Sequence, residues 1–413
     1  MDSEADILDV TKLCFEGDFD TQVESLLYRI RLTVTEVQNL RFLFKDVEQA
    51  LQGLGPGLQV MPFGSIVTGL GIKTSDVDCY VALPTGREIR RNIVVKAKNK
   101  LQKLFRIFTN LFAISSAKVP IVKFLHIPTN CNCDVNFISP AGVYNSELIG
   151  KLLHMDGGQY ALKLAVLIKY WSKVHRISGT NLVASYTFTL MVIFYLQLMN
   201  MLPSIYVMQS TVPPHIVGHW NMAFDRNMSY QQDSNDSLYD LMGGFFKCYA
   251  NLNFEENIIS PYMGRLLHKK MFTNLDDVPE QFALYKHNVS TIMCKPLKID
   301  SPICVQDPFE HARNSSSPVY PKLAARVQAL FQFAAKKFDE VPREQFLKVI
   351  LTEGPINIVQ NTKPKQKHVF HNKIMKQKHN PQQKIPGQVA LRKCYEQVIG
   401  TKPPQMKQGE GQN

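Results

Sequence analysis

Alternating apolar and polar positions predict a small sheet in the first third of the chain. Strand-like runs cover Leu58–Met61 and Val77–Leu83, and Pro84 ends the second run. A third run, rich in β-branched residues, covers Ala117–Phe124, and Cys133–Ile138 follows it. We therefore expect a mixed α/β unit over residues 51–145, with a basic linker helix from Arg87 to Arg106.

Apolar residues at helical spacing predict that most of the remaining chain is helical. The pattern is clear over Thr21–Val47, Tyr160–Ile177 and Asp236–Phe254. A long apolar stretch begins at Tyr186, but polar residues interrupt it before the roughly 20 apolar residues that a membrane helix needs. We interpret it as a buried helix of a mostly helical unit over residues 146–355, preceded by N-terminal helices over residues 1–50.

Composition and cysteine usage predict an intracellular globular protein without membrane segments. The 413 residues are 45% hydrophobic and 20% charged, enough for two or three domains with sizeable cores. Cys131 and Cys133 stand next to Asp134, but no matching Cys/His pair accompanies them, so buried thiols are expected in place of a zinc site. The acidic N-terminus argues against a signal or transit peptide, and we expect a cytoplasmic or nuclear location. No RNA-recognition motif, zinc finger or internal repeat is visible.

Positive charge is concentrated at the C-terminal end. The net charge is +12, and residues 356–413 hold eleven Lys/Arg against two acids. This segment is rich in Gln, Asn, Pro and His and is predicted to be mostly disordered. It is interpreted either as a tether for RNA or as a solubilising or nuclear-targeting tail.

The strongest chemical signal is a Gly-Ser turn followed by two alternating acids. Gly64-Ser65 follows the first predicted strand, and Asp76 and Asp78 flank Val77 at the start of the second. Residues i and i+2 of a strand point to the same face, so both carboxylates project together. Two such carboxylates suit a pair of divalent ions, and the glycine turn allows a phosphate to approach the backbone. A third acid, Asp134, would join them from a neighbouring strand as general base and metal ligand.

These residues resemble the catalytic core of the DNA polymerase β-like nucleotidyltransferases. Within that superfamily, residues 20 to 355 look like the terminal uridylyltransferases and poly(A) polymerases that extend RNA 3′ ends. The resemblance implies an α+β, two-lobed enzyme with a mixed-sheet catalytic domain, a mostly helical central (PAP-associated) domain and N-terminal helices packed on the central domain. It implies two Mg²⁺ or Mn²⁺ ions held by Asp76, Asp78 and Asp134.

The same resemblance implies a set of nucleotide-binding residues. Lys169 and Lys173 are an i, i+4 pair on one helix face, where two ammonium groups suit a triphosphate. Tyr186 would stack on the base. The full expected set is Gly64, Ser65, Asn145, Ser146, Lys169, Lys173, Ser185, Tyr186, Asp307, Glu310 and Arg313, with Asp307 at the base edge and Glu310 ordering its loop.

One departure from the family pattern leaves the base open. Uridylyltransferases often place a histidine three residues after the acid at Glu310, but this chain has Arg313 there and a histidine at His311. We expect a template-independent RNA 3′-terminal nucleotidyltransferase that favours UTP, with a poly(A) polymerase as the alternative. The expected partners are an RNA 3′ end, a nucleoside triphosphate and an RNA-targeting protein. A 2′-5′-oligonucleotide or cyclic-dinucleotide synthase and an inactive RNA-binding scaffold are the other readings.

Overall fold

A five-stranded mixed sheet forms the centre of the first unit. The computed structural model describes residues 4–55, 57–83, 92–116, 119–155, 159–230 and 236–355. The strands are β1 Gln59–Phe63, β2 Val77–Ala82, β3 Phe108–Ile114, β4 Ile121–His126 and β5 Cys131–Asn136. Their order is β1-β2-β5-β4-β3, and β2 and β5 run parallel while the other neighbours are antiparallel.

Side-chain alternation along β2 places apolar residues on one face of the sheet and polar residues on the other. Val77, Cys79 and Val81 are buried, whereas Asp78 and Tyr80 on the other face are only partly buried. Val135 of β5 continues the buried face. One face of the sheet is therefore committed to the core, and the carboxylates lie on the other.

Helices build most of the second unit and cover the sheet of the first. They are α1 Glu4–Ile7, α2 Phe19–Ile30, α3 Val34–Leu51, α4 Ile93–Leu101, α5 Ala141–Leu153, α6 Gln159–Val174, α7 Ser185–Leu198, α8 Ile205–Ser210, α9 Leu238–Ala250, α10 Ala283–Ser290, α11 Pro321–Glu340 and α12 Arg343–Thr352. Two small hairpins complete the helical unit: β6 Ile216–Val217 with β7 Trp220–Asn221, and β8 Asn257–Ser260 with β9 Arg265–His268.

Helix α7 lies at the centre of the helical unit. From Thr187 to Gln197 every residue is buried, as expected for a helix that is apolar all round inside a protein. It has 14 residues, and no helix in the described part of the chain has the length and apolarity to cross a membrane.

The N-terminal helices divide between the two cores, which differs from the prediction that residues 1–50 pack together on the central domain. Helix α2 joins the helical core, where Phe19 lies 6.5 Å from Phe346, centroid to centroid. Helix α3 packs against the sheet core through Leu40, Leu43 and Val47. Both helices are amphipathic, and the surface that each one covers depends on contacts distant in sequence.

Two other predicted segments fall partly or wholly outside the described residues. Within the expected linker helix Arg87–Arg106, the structure has α4 over Ile93–Leu101, and residues 84–91 lie outside the description. The predicted tail, residues 356–413, also lies outside it. The remaining domain boundaries stay predictions.

Candidate active site

A cleft of about 1640 Å³ separates the carboxylate face of the sheet from the helical unit. Most of the expected site residues line it, and they come from distant parts of the chain: Gly64, Ser65, Asp76, Asp78, Asn145, Ser146, Lys169, Lys173, Ser185, Tyr186 and Arg313. Asp134, Asp307 and Glu310 are not among its lining residues.

The turn after β1 requires glycine at position 64. Gly64 has φ +80°, and a Cβ on it would lie 2.4 Å from Asp78 Oδ2. The Gly64 N–H donates to Ser146 Oγ at 2.7 Å, and that hydroxyl donates to the Gly142 carbonyl. Ser146 therefore fixes the turn against α5, and its hydroxyl is engaged within the protein.

Strand pairing brings the second and third acids side by side. Asp78 of β2 is the register partner of Asp134 of β5, and Asp76 is exposed immediately before β2. Burial, followed by the charges of Asp134 and Asp76, raises the pKa of Asp78 to about 7. Burial likewise raises the pKa of Asp134. This is the electrostatic situation that a bound cation relieves, and carboxylate oxygens are the donors that Mg²⁺ and Mn²⁺ prefer.

Lys123 is a member of this cluster that the sequence reasoning missed. It is the β4 register partner of Asp134, and its Nζ lies 2.5 Å from Asp134 Oδ2. In the described residues no three His, Cys, Asp or Glu side chains already surround a common point. The third carboxylate is paired with Lys123. The donor set fits divalent ions, but Asp134 must exchange its lysine for them. The signal in the sequence was weak, since it required the β4–β5 register.

The two lysines expected to bind phosphate have different surroundings. Lys169 is buried, and its Nζ donates to the Leu70 carbonyl and to Ser75 Oγ, both at 2.9 Å. Burial, with the charge of Lys173, lowers the pKa of Lys169 to about 7. Lys169 therefore anchors the loop that leads to Asp76. Lys173 also lines the cleft and lies 3.7 Å from Glu4 Oε1.

The start of α7 adds polar groups beside Lys173. Ser185 is the first residue of α7, and its hydroxyl lies 2.9 Å from that of Ser178. Arg176 lines the cleft there too, although the sequence reasoning did not select it. Arg176 lies after the end of α6 at Val174, so a helical spacing from Lys173 could not indicate it. Helix N-terminal N–H groups with two cations form a site suited to an anion.

A buried carboxylate fixes the other end of the cleft. Asp307 is fully buried and accepts from the Tyr186 hydroxyl at 3.0 Å and from the N–H groups of Phe309 and Glu310. The Arg313 guanidinium lies 3.6 Å from Asp307, 3.2 Å from Glu310 and 5.7 Å from the Tyr186 ring centroid. Asp307 thus orients Tyr186 and Arg313 from beneath the cleft surface, and its expected role at the base edge stays a prediction.

His311 points away from the cleft. Its ring packs 4.0 Å from that of Tyr262 and 5.1 Å from that of Phe282, centroid to centroid, and burial lowers its pKa to about 3. Arg313 is therefore the side chain of this loop that reaches the cleft.

Two buried polar atoms on the cleft wall have no hydrogen-bond partner among the described residues. They are Asn145 Oδ1 and Thr74 Oγ1. A buried acceptor without a partner is costly. Both atoms are thus available to a polar ligand, and Asn145 is one of the predicted nucleotide-binding residues.

Comparisons with known proteins give two family models and a consistent set of relatives. The model for the mitochondrial-like poly(A) RNA polymerase central palm domain matches residues 19–152, and that for the Cid1 family poly A polymerase matches residues 237–313. The mitochondrial poly(A) RNA polymerase of Drosophila melanogaster is 26% identical over 325 residues, covering 69% of this chain and 53% of that protein. Terminal uridylyltransferase 7 of Homo sapiens is 27% identical, covering 62% of this chain and 18% of that protein.

A further relative and two solved structures agree with these matches. Poly(A) RNA polymerase GLD2-B of Xenopus laevis is 26% identical, covering 83% of this chain and 62% of that protein, so the chain spans less than two thirds of each of these relatives. The crystal structure of mtPAP in complex with UTP has a TM-score of 0.70 at 19% identity, covering 85% of this chain and 75% of that one. A cytoplasmic RNA terminal U-transferase has a TM-score of 0.65 at 19% identity, covering 82% and 99%. The two structures share the fold described above.

Proposed function

We propose, from the premise that this chain belongs to the nucleotidyltransferase family of poly(A) polymerases and terminal uridylyltransferases, that it adds nucleotides to RNA 3′ ends without a template. The observation that carries the proposal is the pairing of Asp78 with Asp134 opposite the Gly64 turn, with Asp76 beside them.

In this proposal the acids hold two Mg²⁺ or Mn²⁺ ions. When bound, such ions neutralise charge on the attacking hydroxyl and on the triphosphate. Asp76 and Asp78 line the cleft, and Asp134 joins them when Lys123 releases it. Asp134 then accepts the proton of the RNA 3′-hydroxyl as that oxygen attacks the α-phosphorus, while the bond from the α-phosphorus to the bridging oxygen breaks and the β- and γ-phosphates leave as pyrophosphate.

The phosphate chain is assigned to the cleft wall around α7. Lys173, Arg176 and the Ser185 end of α7 bind the β- and γ-phosphates, and the partly buried turn at Gly64-Ser65 holds the α-phosphate, where the reaction takes place. Lys169 keeps the Leu70–Ser75 loop in place, and so positions Asp76. The protein contributes mainly orientation and fixed charge, which are the main contributions in phosphoryl transfer.

UTP is the nucleotide we propose, with ATP as the second candidate. The Tyr186 ring stacks on the base, and the Arg313 guanidinium, held by Asp307 and Glu310, offers only donors. Uracil presents two carbonyl acceptors to such a group, whereas the exocyclic amino group of adenine is itself a donor. The case for ATP comes from the relatives, which include proteins named as poly(A) RNA polymerases.

The test incubates purified protein with labelled single-stranded RNA, Mg²⁺ or Mn²⁺, and each NTP separately. Asp78→Asn should abolish extension, whereas Asp277→Asn, an exposed acid outside the cleft, should leave it intact. Extension with UTP alone supports the uridylyltransferase, and extension with ATP alone supports the poly(A) polymerase. Product made from NTPs without RNA would support the synthase reading. No product with any NTP, or full activity of Asp78→Asn, would overturn the proposal.

A further inference from the structure

The cleft has a second arm that the nucleotide site does not use. It leads from the carboxylates across β5 and β4 to the β4–β5 turn, and its wall includes Leu125, Asn130 and Asn132. Asn132 precedes Asp134 by two residues on β5, so both side chains lie on the same face. Leu125 is the β4 register partner of Asn132. The row of side chains next to the acids therefore opens onto this turn.

Helix α3 packs on the buried face of the sheet, but its N-terminal half extends to the cleft and supplies further lining residues. Glu36, Asn39 and Phe42 line the cleft at three-residue intervals along α3. The helix is fixed against the end of β4, because the Asp46 carboxylate lies 3.1 Å from His126 Nε2. We call this part of the cleft the amide groove and define it by Asn39, Phe42, Leu125, Asn130 and Asn132.

The side chains of the amide groove suit nucleobases better than phosphates. Phe42 is 48% exposed, and the amides of Asn39, Asn130 and Asn132 are exposed. The described residues that line this arm include no lysine or arginine. An exposed aromatic ring stacks on any base, and amides can both donate to and accept from base edges. At the rim, the exposed Arg41 lies 4.9 Å from the Phe42 ring centroid and offers one cation to a backbone phosphate.

The position of the amide groove determines the side from which an RNA strand would approach the acids. In the sheet order β1-β2-β5-β4-β3, the Gly64 turn follows β1, and the amide groove includes Asn132 of β5 and Leu125 of β4. Asp78 of β2 lies between them. In an in-line displacement the attacking and leaving oxygens are on opposite sides of the phosphorus, so a strand that attacks toward the Gly64 side enters from the groove side.

We propose that the amide groove binds the last nucleotides of the single-stranded RNA that is extended, with a base stacked on Phe42 and base edges read by Asn39, Asn130 and Asn132. This inference rests on the proposed function and adds the site that holds the RNA acceptor. It places base contacts on α3, in a segment that no catalytic role requires.

The test compares Phe42→Ala with Phe112→Ala in the full chain. Phe112 is a phenylalanine of β3 that is 63% exposed and outside the cleft, so its variant controls for loss of a surface ring. Loss of one stacked base weakens RNA binding by about 5- to 150-fold. We expect that rise in the KM for RNA with Phe42→Ala, an unchanged KM for the NTP, and recovery with Phe42→Trp. Asn39→Ala should raise the KM for RNA as well.

A binding assay keeps this proposal separate from the proposed function. Anisotropy of a fluorescein-labelled single-stranded RNA, measured in the Asp78→Asn background, reports the groove without catalysis. A 4-thiouridine next to the RNA 3′ end should crosslink to α3 or to residues 127–132. If wild-type protein extends RNA but Phe42→Ala matches Phe112→Ala in both assays, the groove proposal is wrong and the function stands. Failure of wild-type extension with intact Phe42-dependent RNA binding overturns only the function.

Discussion

Gly64 joins backbone conformation to chemistry at one residue. Alanine there would have an unfavourable positive φ and a Cβ 2.4 Å from Asp78 Oδ2. Gly218 provides a matched control, because it also has a positive φ, +62°, but nothing lies within 4 Å of its Cβ position. Both alanine variants should lose about 1–2 kcal/mol of unfolding free energy to backbone strain. Only Gly64→Ala should lose about 100-fold or more in nucleotide addition, because it displaces a reacting group. Equal activity of the two variants in the extension assay would contradict this account.

Lys123 gives a second prediction at residue scale, measured without catalysis. Lys123→Met removes the cation that Asp134 holds in this structure. The metal-free variant should lose about 1 kcal/mol of stability, and Mg²⁺ or Mn²⁺ should raise its Tm more than that of the wild type, because ion binding no longer displaces a lysine. Lys163→Met, which removes a surface pair with Glu24, is the control. A cation-dependent Tm shift equal to that of the wild type would exclude the exchange between lysine and metal.

Sequence predicts the site residues whose relative positions follow from their spacing within one strand or helix. Strand alternation puts Asp76 and Asp78 on one face whatever the rest of the fold does. Lys123 and Arg176 escaped because their positions depend on strand register and on the way that a helix ends. Asp307 was selected, but its burial beneath Tyr186 follows from packing between α7 and the loop after residue 304, and no local pattern reports that packing.

At the scale of elements, the loop over residues 305–316 is stabilised by hydrogen bonds within the loop and by a buried aromatic cluster. Asn314 Oδ1 accepts from the Val305 and Ser316 N–H groups, and His311 packs among aromatic rings. Burial lowers the pKa of His311 to about 3, below the usual value of about 6.5 in unfolded chains. Below about pH 6.5 the unfolded chain therefore binds a proton that the folded protein excludes. As the pH decreases below that value, the free energy of unfolding decreases by about 1.4 kcal/mol per pH unit.

His311→Phe should remove that part of the pH dependence. Urea unfolding at pH 7.5, 6 and 5 should show a shallower fall for His311→Phe than for the wild type. The exposed His287→Phe should behave like the wild type. A residual slope is expected from His126 and His175, because burial lowers the pKa of each. Identical slopes for His311→Phe and the wild type would show that His311 is protonated in the folded protein.

Replacing glycine by alanine should have opposite effects on stability at two helix positions. Gly243 of α9 faces α11, and a Cβ there would lie 2.2 Å from the Phe338 ring. Gly150 of α5 has nothing within 4 Å of its Cβ position. Gly243→Ala should lose about 1–3 kcal/mol through overpacking, whereas Gly150→Ala should gain about 0.5–1 kcal/mol from helix propensity. Urea denaturation compares them, and stabilisation of both variants would mean that α9 and α11 readjust without strain.

The partners of the elements were harder to predict than the elements themselves. Apolar periodicity indicated helices between Thr21 and Val47, and the structure has α2 and α3 there. Each helix buries one face, yet they join different cores. Hydrophobic periodicity indicates that one face of a helix is buried, but it does not indicate which core that face packs against. The division of residues 1–50 between two cores therefore could not be predicted from the local sequence.

At the scale of the whole molecule, the residues that line the cleft and the segment with most of the excess positive charge lie in different parts of the chain. The cleft is built from residues before 314, whereas residues 356–413 carry a net charge of +9, from eleven Lys/Arg and two acids. Cations outside a cleft bind RNA by releasing counterions from the phosphates, without regard to sequence. The two regions should therefore contribute separably, the cleft to turnover and the basic segment to RNA affinity.

Replacing the seven lysines from Lys363 to Lys384 by glutamine tests this separation. Each lost phosphate contact makes the log–log salt dependence of single-stranded RNA binding shallower by about 0.7, so we expect a slope reduced by up to about 5 and weaker binding at low salt. The KM for the NTP and kcat at saturating RNA should be unchanged, since the cleft is intact. Lysine-to-arginine replacement at the same positions keeps the charge and should retain the wild-type slope. If the glutamine variant also keeps that slope, the basic segment does not tether RNA, and its charge must act in solubility or nuclear targeting.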